Sequence, residues 1–311
     1  MKSKKRNKFL RLIIMAIVII SLTTGALTGC SLRAGKVKGA GDVGEALIVT
    51  SFYPIYIATI NITRGIEEVR VENLTRPQTG CLHDYQMKPQ DVELLDLADV
   101  FVVNGLGMES FLDKAVAQKQ GLKILDASKE IQALADGNGE INSHVWLDVD
   151  NEIAQAQNIA EGLSAAFPKV GNAFRNNAEI YIEKLRRLAE AMKEGLKGFA
   201  GREIVTFHEA FPYFAQEFGL KIAAVIEREP GVAPSPREVE RTIAAVRRAG
   251  VKVLFAEPQY SQRAADAIAA ETGARIFLLD PIVTGDANLS AYDDYLIKMR
   301  RNMDTIIEAM R

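Results

Sequence analysis

Short apolar runs alternate with helical patterns along most of the chain. Residues 47–51, 69–74, 100–104 and 123–126 are compact, β-branched-rich runs that predict strands, with helical spacing between them at 54–65, 89–98 and 108–119. A second series follows residue 200. Its strands are predicted at 203–207, 221–226, 252–256 and 275–279, and its helices near 209–218, 236–249, 261–272 and 290–310. Pro234-Ser235-Pro236, followed by Arg-Glu-Val-Glu, marks a helix start, with Ser235 as cap and Pro236 at the first helical position. Apolar strands separated by amphipathic helices predict a parallel sheet covered by helices. The chain repeats that rhythm, so the expected fold is α/β with two similar lobes. Between them, Phe174, Ala178, Tyr181, Leu185, Leu188 and Met192 form one apolar stripe at steps of four and three, and Arg175, Glu179, Glu183 and Arg186 lie off it. This predicts one stiff helix of about 25–28 residues, about 40 Å long at the usual helical rise. The expected division is an N-terminal lobe at 45–168, an interlobe helix within 169–199 and a C-terminal lobe at 200–311.

The first residues follow a different pattern. Lys2, Lys4, Lys5, Arg6, Lys8 and Arg11 precede an apolar run from 12 to 22, too short for a bilayer, which ends in Leu27-Thr28-Gly29-Cys30. This reads as an export signal over 1–29 with a lipobox-like end, making Cys30 the expected lipidation site and the chain anchored rather than spanning. The glycine-rich stretch to residue 44 reads as a flexible tether. The leader carries six basic and no acidic residues, so its loss takes the formal charge from −2 to −8. That acidity argues against nucleic acid as a partner. With Cys30 lipidated, Cys81 is the other cysteine and no internal disulfide can form.

The histidines are scarce and similarly placed. His83, His144 and His208 sit in Cys81-Leu82-His83-Asp84-Tyr85, Ser143-His144-Val145-Trp146-Leu147-Asp148 and Thr206-Phe207-His208-Glu209-Ala210-Phe211, each just after an apolar segment. Open α/β sheets bind ligands outside the carboxyl ends of their strands. His208 and Asp280 end predicted strands of the second series, and His83 and His144 lie in loops of the first. Three imidazoles and one carboxylate make a four-coordinate shell of the kind zinc takes. Asp148, Glu209 and Glu257 are candidates to support those ligands from behind. Cys81 reads as a small buried thiol, and Trp146 as packing beside the site. No serine or cysteine nucleophile motif stands out, so no enzymatic activity is expected.

These motifs, with Leu279-Asp280-Pro281-Ile282 and Glu229-Pro230, resemble the metal-binding lipoproteins of bacterial zinc and manganese ABC transporters. The resemblance runs from Leu47 to Met310. It implies His83, His144, His208 and Asp280 as ligands, a rigid interlobe helix, and an extracytoplasmic receptor held to the membrane by lipid. It further implies that the receptor delivers metal to an ABC permease and its ATPase; a monomer is expected. Manganese-type members are expected to carry glutamate where His208 stands. Imidazole suits zinc, so Zn2+ is the expected cargo, with Mn2+ the alternative. The chain departs from the pattern twice. Asn142-Ser143 replaces the usual Asp-Pro before the second histidine, and the His/Asp/Glu-rich insertion of many zinc members shrinks to the segment 135–140.

Overall fold

A computed structural model describes residues 45–77, 82, 85–112, 119, 121–135, 139–226, 235–259 and 263–311. The leader, the tether, Cys30, Cys81, His83 and the Glu229-Pro230 loop lie outside these residues. In the first half, strands β1 (Ala46–Thr50), β2 (Val69–Asn73), β3 (Val100–Val103) and β4 (Lys123–Asp126) form one parallel sheet in the order β2-β1-β3-β4. A two-stranded antiparallel hairpin follows, β5 (Leu134–Ala135) with β6 (Ile141–Asn142). In the second half, β7 (Glu203–Thr206), β8 (Lys221–Val225), β9 (Val253–Ala256) and β10 (Arg275–Leu278) pair in parallel in the order β10-β9-β7-β8. Counted from its own first strand, each four-stranded sheet is therefore ordered 2-1-3-4.

The helices are α1 (Tyr53–Ile62), α2 (Pro89–Leu97), α3 (Val149–Ala166), α4 (Gly171–Leu196), α5 (Pro212–Glu217), α6 (Pro236–Ala249), α7 (Arg263–Thr272) and α8 (Asp294–Met310). Helix α1 is apolar on nearly every side, and all ten of its residues are buried, as expected of a helix inside the core. The cap of α6 forms as the sequence predicts. The Ser235 hydroxyl accepts from the Glu238 N–H while the Glu238 carboxylate accepts from the Ser235 N–H, and Gly250 ends the helix in the left-handed region at φ 64°. The interlobe helix α4 runs for 26 residues, and every member of its predicted stripe is buried. The helix expected at 108–119 is, within the described residues, a single 3-10 turn at Ser110–Leu112. The β5–β6 hairpin has no counterpart in the apolar pattern, because two-residue strands carry no periodicity.

Alternation along the strands explains how the two sheets join. Ile48, Val100 and Val102 of the first sheet, and Ile204, Val253 and Phe255 of the second, feed one continuous apolar core that includes the α4 stripe. Their sequence neighbours point the other way. Leu47, Val49 and Phe101 pack into a small cluster with Leu95 of α2, and Val205, Leu254 and Ala256 into another with Val246 of α6 and Ile268 of α7. Each lobe thus owns one cover and shares the rest. Polar contacts reinforce the shared side: the Tyr53 hydroxyl donates to Asp294 (2.5 Å), and Asn61 donates to the carbonyl of Tyr292 (2.8 Å).

Candidate metal centre

The second-half sheet delivers His208 directly. Two residues beyond β7, it is 1 % exposed, held by Phe207 on one side and the Ala210-Phe211 turn into α5 on the other. His144 arrives by a longer route. It follows β6 and opens a 3-10 turn at Val145–Leu147 that leads into α3, and it too is 1 % exposed. Their Nε2 atoms lie 3.2 Å apart and the ring planes cross at 78°. Two ring nitrogens this close, brought from opposite halves of the chain, make a converging donor pair for a cation.

The segment before His144 is anchored from below. Asn104, buried at the end of β3, donates to the carbonyl of Ser143 (3.0 Å) and accepts from Gln155 of α3 (2.9 Å). Glu109 accepts from the N–H groups of Asn104 (2.7 Å) and Gly105 (3.1 Å), fixing the turn that carries Asn104. Burial pushes the Glu109 carboxyl up to about 7, against the pull of the Ser51 hydroxyl and those N–H groups. The His144 N–H donates to Asn142 Oδ1 (3.0 Å), and Nδ1 of its ring lies 3.1 Å from the same oxygen. Asn142 also donates from Nδ2 to the carbonyl of Glu209 (2.7 Å), next to His208. Beside these groups opens a cavity of about 700 Å³, lined among others by Ser110, Asn142, Ser143 and Glu209.

Trp146 ties the histidine loop to the loop of Asp280. Its ring lies 5.2 Å from that of His144, its indole N–H donates to the carbonyl of Pro281 (2.8 Å), and its own carbonyl accepts from the Tyr295 hydroxyl (2.7 Å). Asp280 stands two residues past β10. Asn302 of α8 grips its main chain twice, accepting from its N–H and donating to its carbonyl, both at 2.8 Å. The carboxylate has partners of its own. Oδ1 accepts from the Ile282 N–H (2.7 Å), and Oδ2 lies 2.6 Å from the Lys298 ammonium, which also donates to the carbonyl of Thr284 (3.0 Å).

The three candidate supporting residues fare differently. Asp148 caps α3, accepting from the N–H groups of Asp150 (2.8 Å) and Asn151 (3.1 Å). Its carboxylate belongs to a cluster with Asp150 and Glu217, the group of three ligand-type side chains mutually within 4.8 Å among the described residues. Lys193 sits 2.8 Å from Asp150 and 3.9 Å from Glu217 in that cluster. Burial, with the Asp148 charge adding to it, pushes Glu217 up to about 8. Behind the His144 ring, the group at hydrogen-bond distance from Nδ1 is the Asn142 amide oxygen. Glu209 contributes its main-chain carbonyl to Asn142, as above. Glu257, buried just past β9, accepts from Gln259 (2.6 Å).

Sequence reasoning missed Asn142, Asn302 and Lys298. Asn302 had a signal. Tyr295, Met299, Ile306 and Ala309 define the buried stripe of α8, and Asn302 occupies the one polar position within it.

Residues 48–309 match the family model for the zinc-uptake complex component A, periplasmic. The chain belongs to this family. Its members serve transport as substrate-binding components rather than as enzymes. The chain is similar to the zinc-binding lipoprotein AdcA of Streptococcus pneumoniae, 28 % identical over 304 residues, with 92 % of this chain and 60 % of that protein covered. It thus spans about 60 % of the length of the curated relatives first matched. The high-affinity zinc uptake system protein ZnuA of Bacillus subtilis is matched along nearly its whole length, 27 % identical, with 92 % of this chain and 93 % of the relative covered. Among solved structures, the solute-binding protein FpvC of Pseudomonas aeruginosa in complex with Ni2+ superposes with a TM-score of 0.76 at 29 % identity, covering 86 % of this chain and 97 % of that one. For this family member the two-lobe fold and its long connecting helix agree with the sequence expectation. No helix among the described residues is long and apolar enough to cross a membrane.

Proposed function

We propose that this chain is an extracytoplasmic receptor that captures Zn2+ between lobes 45–168 and 200–311 and delivers it to an ABC permease driven by its ATPase. In this reading Cys30 carries the lipid that holds a monomer to the membrane. His83, His144, His208 and Asp280 are the ligands, of which His83 lies outside the described residues. One observation carries the reading: two buried imidazole Nε2 atoms from different lobes converge to 3.2 Å. Imidazole favours zinc over manganese, which prefers carboxylate and water. The zinc-binding names of the relatives support the same cargo. A zinc hydrolase would need three protein ligands, an open water position and a nearby base. In the present reading four protein groups would close the shell and leave no water position.

The test is competition on the metal-stripped full chain in detergent micelles, with Zn2+ titrated against Mn2+. Zinc is expected to displace manganese at one equivalent, with a preference of at least about 100-fold, as the divalent affinity order and the nitrogen donors require. Equal affinity, or a preference for manganese, overturns the choice of cargo.

A further inference from the structure

Asn142 occupies the place where the resembling family carries aspartate, and its amide contacts both lobes. Its orientation is settled by its neighbours. The carbonyl of Glu209 can only accept, so the group 2.7 Å from it is Nδ2. The main-chain N–H of His144 can only donate, so the atom 3.0 Å from it is Oδ1. Exchanging the two amide atoms would set carbonyl against carbonyl and N–H against N–H. Nδ1 of His144 faces that same Oδ1 at 3.1 Å, and an oxygen acceptor there requires a proton on Nδ1. The neutral imidazole is thereby left with its lone pair on Nε2, the atom that meets Nε2 of His208.

Asn142 is itself clamped. Its main-chain carbonyl accepts from the Tyr213 hydroxyl of α5 (2.7 Å), and that hydroxyl accepts from the Leu134 N–H (2.8 Å). The β5–β6 hairpin of the first half is thus fastened to α5 of the second at the strand that bears Asn142.

We infer that Asn142 is a positioning residue with two separable roles. It presets the metal-ready tautomer of His144, and through Glu209 it fixes the spacing of His144 from His208. Aspartate could perform only the first role, because a carboxylate cannot donate to the Glu209 carbonyl. The inference rests on the receptor reading for its consequence in metal binding, but the tautomer itself is a property of the metal-free protein.

With three histidines in the sequence, ring-15N-histidine labelling of the full chain in micelles gives six ring nitrogens to follow by NMR. In metal-free protein at mildly alkaline pH, the parent is expected to show His144 protonated on Nδ1. Asn142→Asp is expected to keep that signature. Asn142→Ala is expected to lose it, giving the mixed tautomers of an unheld ring. Zinc dissociation, followed by transfer to a chelator, is expected to quicken about 10–100-fold in Asn142→Ala and by less in Asn142→Asp, in line with the effect of groups that orient metal ligands. A parent His144 protonated on Nε2 overturns the inference, as does an Asn142→Ala protein with unchanged ring nitrogens and unchanged zinc release. A parent that binds no zinc overturns the receptor reading, and the ring-nitrogen spectrum then judges the Asn142 role alone. Asn142→Asp guards against a folding defect, since it preserves the volume and the acceptor.

Discussion

The histidine pair and the Asp280 carboxylate, the two sides of the proposed site, are built in opposite ways. His144 and His208 are buried, the His144 ring is backed by the Asn142 amide, and the two Nε2 atoms face each other at 3.2 Å. Asp280 has its main chain held as firmly by Asn302, but its carboxylate already has a cation in Lys298 at 2.6 Å. In the proposed reading, one half offers ring nitrogens to the metal, while the carboxylate of the other is held by an ammonium. In that reading, Asp280 would join a bound zinc by exchanging the Lys298 ammonium for it.

This contrast can be broken at three points. Replacing an imidazole removes a donor nothing else supplies, so His208→Ala is expected to weaken zinc binding by at least about 1000-fold, measured by chelator competition. Retained affinity would mean the pair is structural. Asp280→Asn keeps the acceptor for the Ile282 N–H but removes the charge, and is expected to cost about 10–100-fold. A loss equal to that of His208→Ala would make the two sides equivalent and remove the distinction. Lys298→Met frees the carboxylate while keeping the length of the side chain. Zinc should then bind about 10-fold more tightly, about 1.4 kcal/mol. Weaker binding would show that Lys298 holds Asp280 in place rather than competing with the metal.

Much of this was legible in the sequence because the signals were periodic. The α4 stripe at steps of four and three gave a 26-residue helix with each named position buried, and Pro234-Ser235-Pro236 located the start of α6 to the residue. The eight strands of the two sheets were visible as apolar runs, most clearly β1, β3, β7 and β9, which are buried on both faces. What lay beyond reading was aperiodic. The β5–β6 hairpin is two residues per strand, and its partner is a tyrosine hydroxyl 79 residues from Leu134. Asp148 fitted equally a support for the metal ligands and a helix cap. In the structure its carboxylate meets the first N–H groups of α3 and caps that helix. Asn142 was visible only as a departure from a family pattern, and it is the departure that the histidine loop is built around.

The shared core has a consequence for motion. Because α4 packs against α3 of the first half and α8 of the second within one apolar core, separating the lobes would expose part of its stripe. Burying a single such side chain stabilises by about 1.5–3 kcal/mol. Wide opening is opposed by that sum, so the fold favours local rearrangement of the loops around a fixed frame.

The central claim is that zinc is held by imidazoles drawn from both lobes. X-ray absorption at the zinc edge of the loaded full chain reads this directly. Four nitrogen and oxygen donors at about 2.0–2.1 Å are expected, with the outer-shell scattering of three imidazole rings in the parent and of two in His208→Ala. An all-oxygen or six-coordinate shell, or a parent spectrum unchanged by His208→Ala, would contradict it.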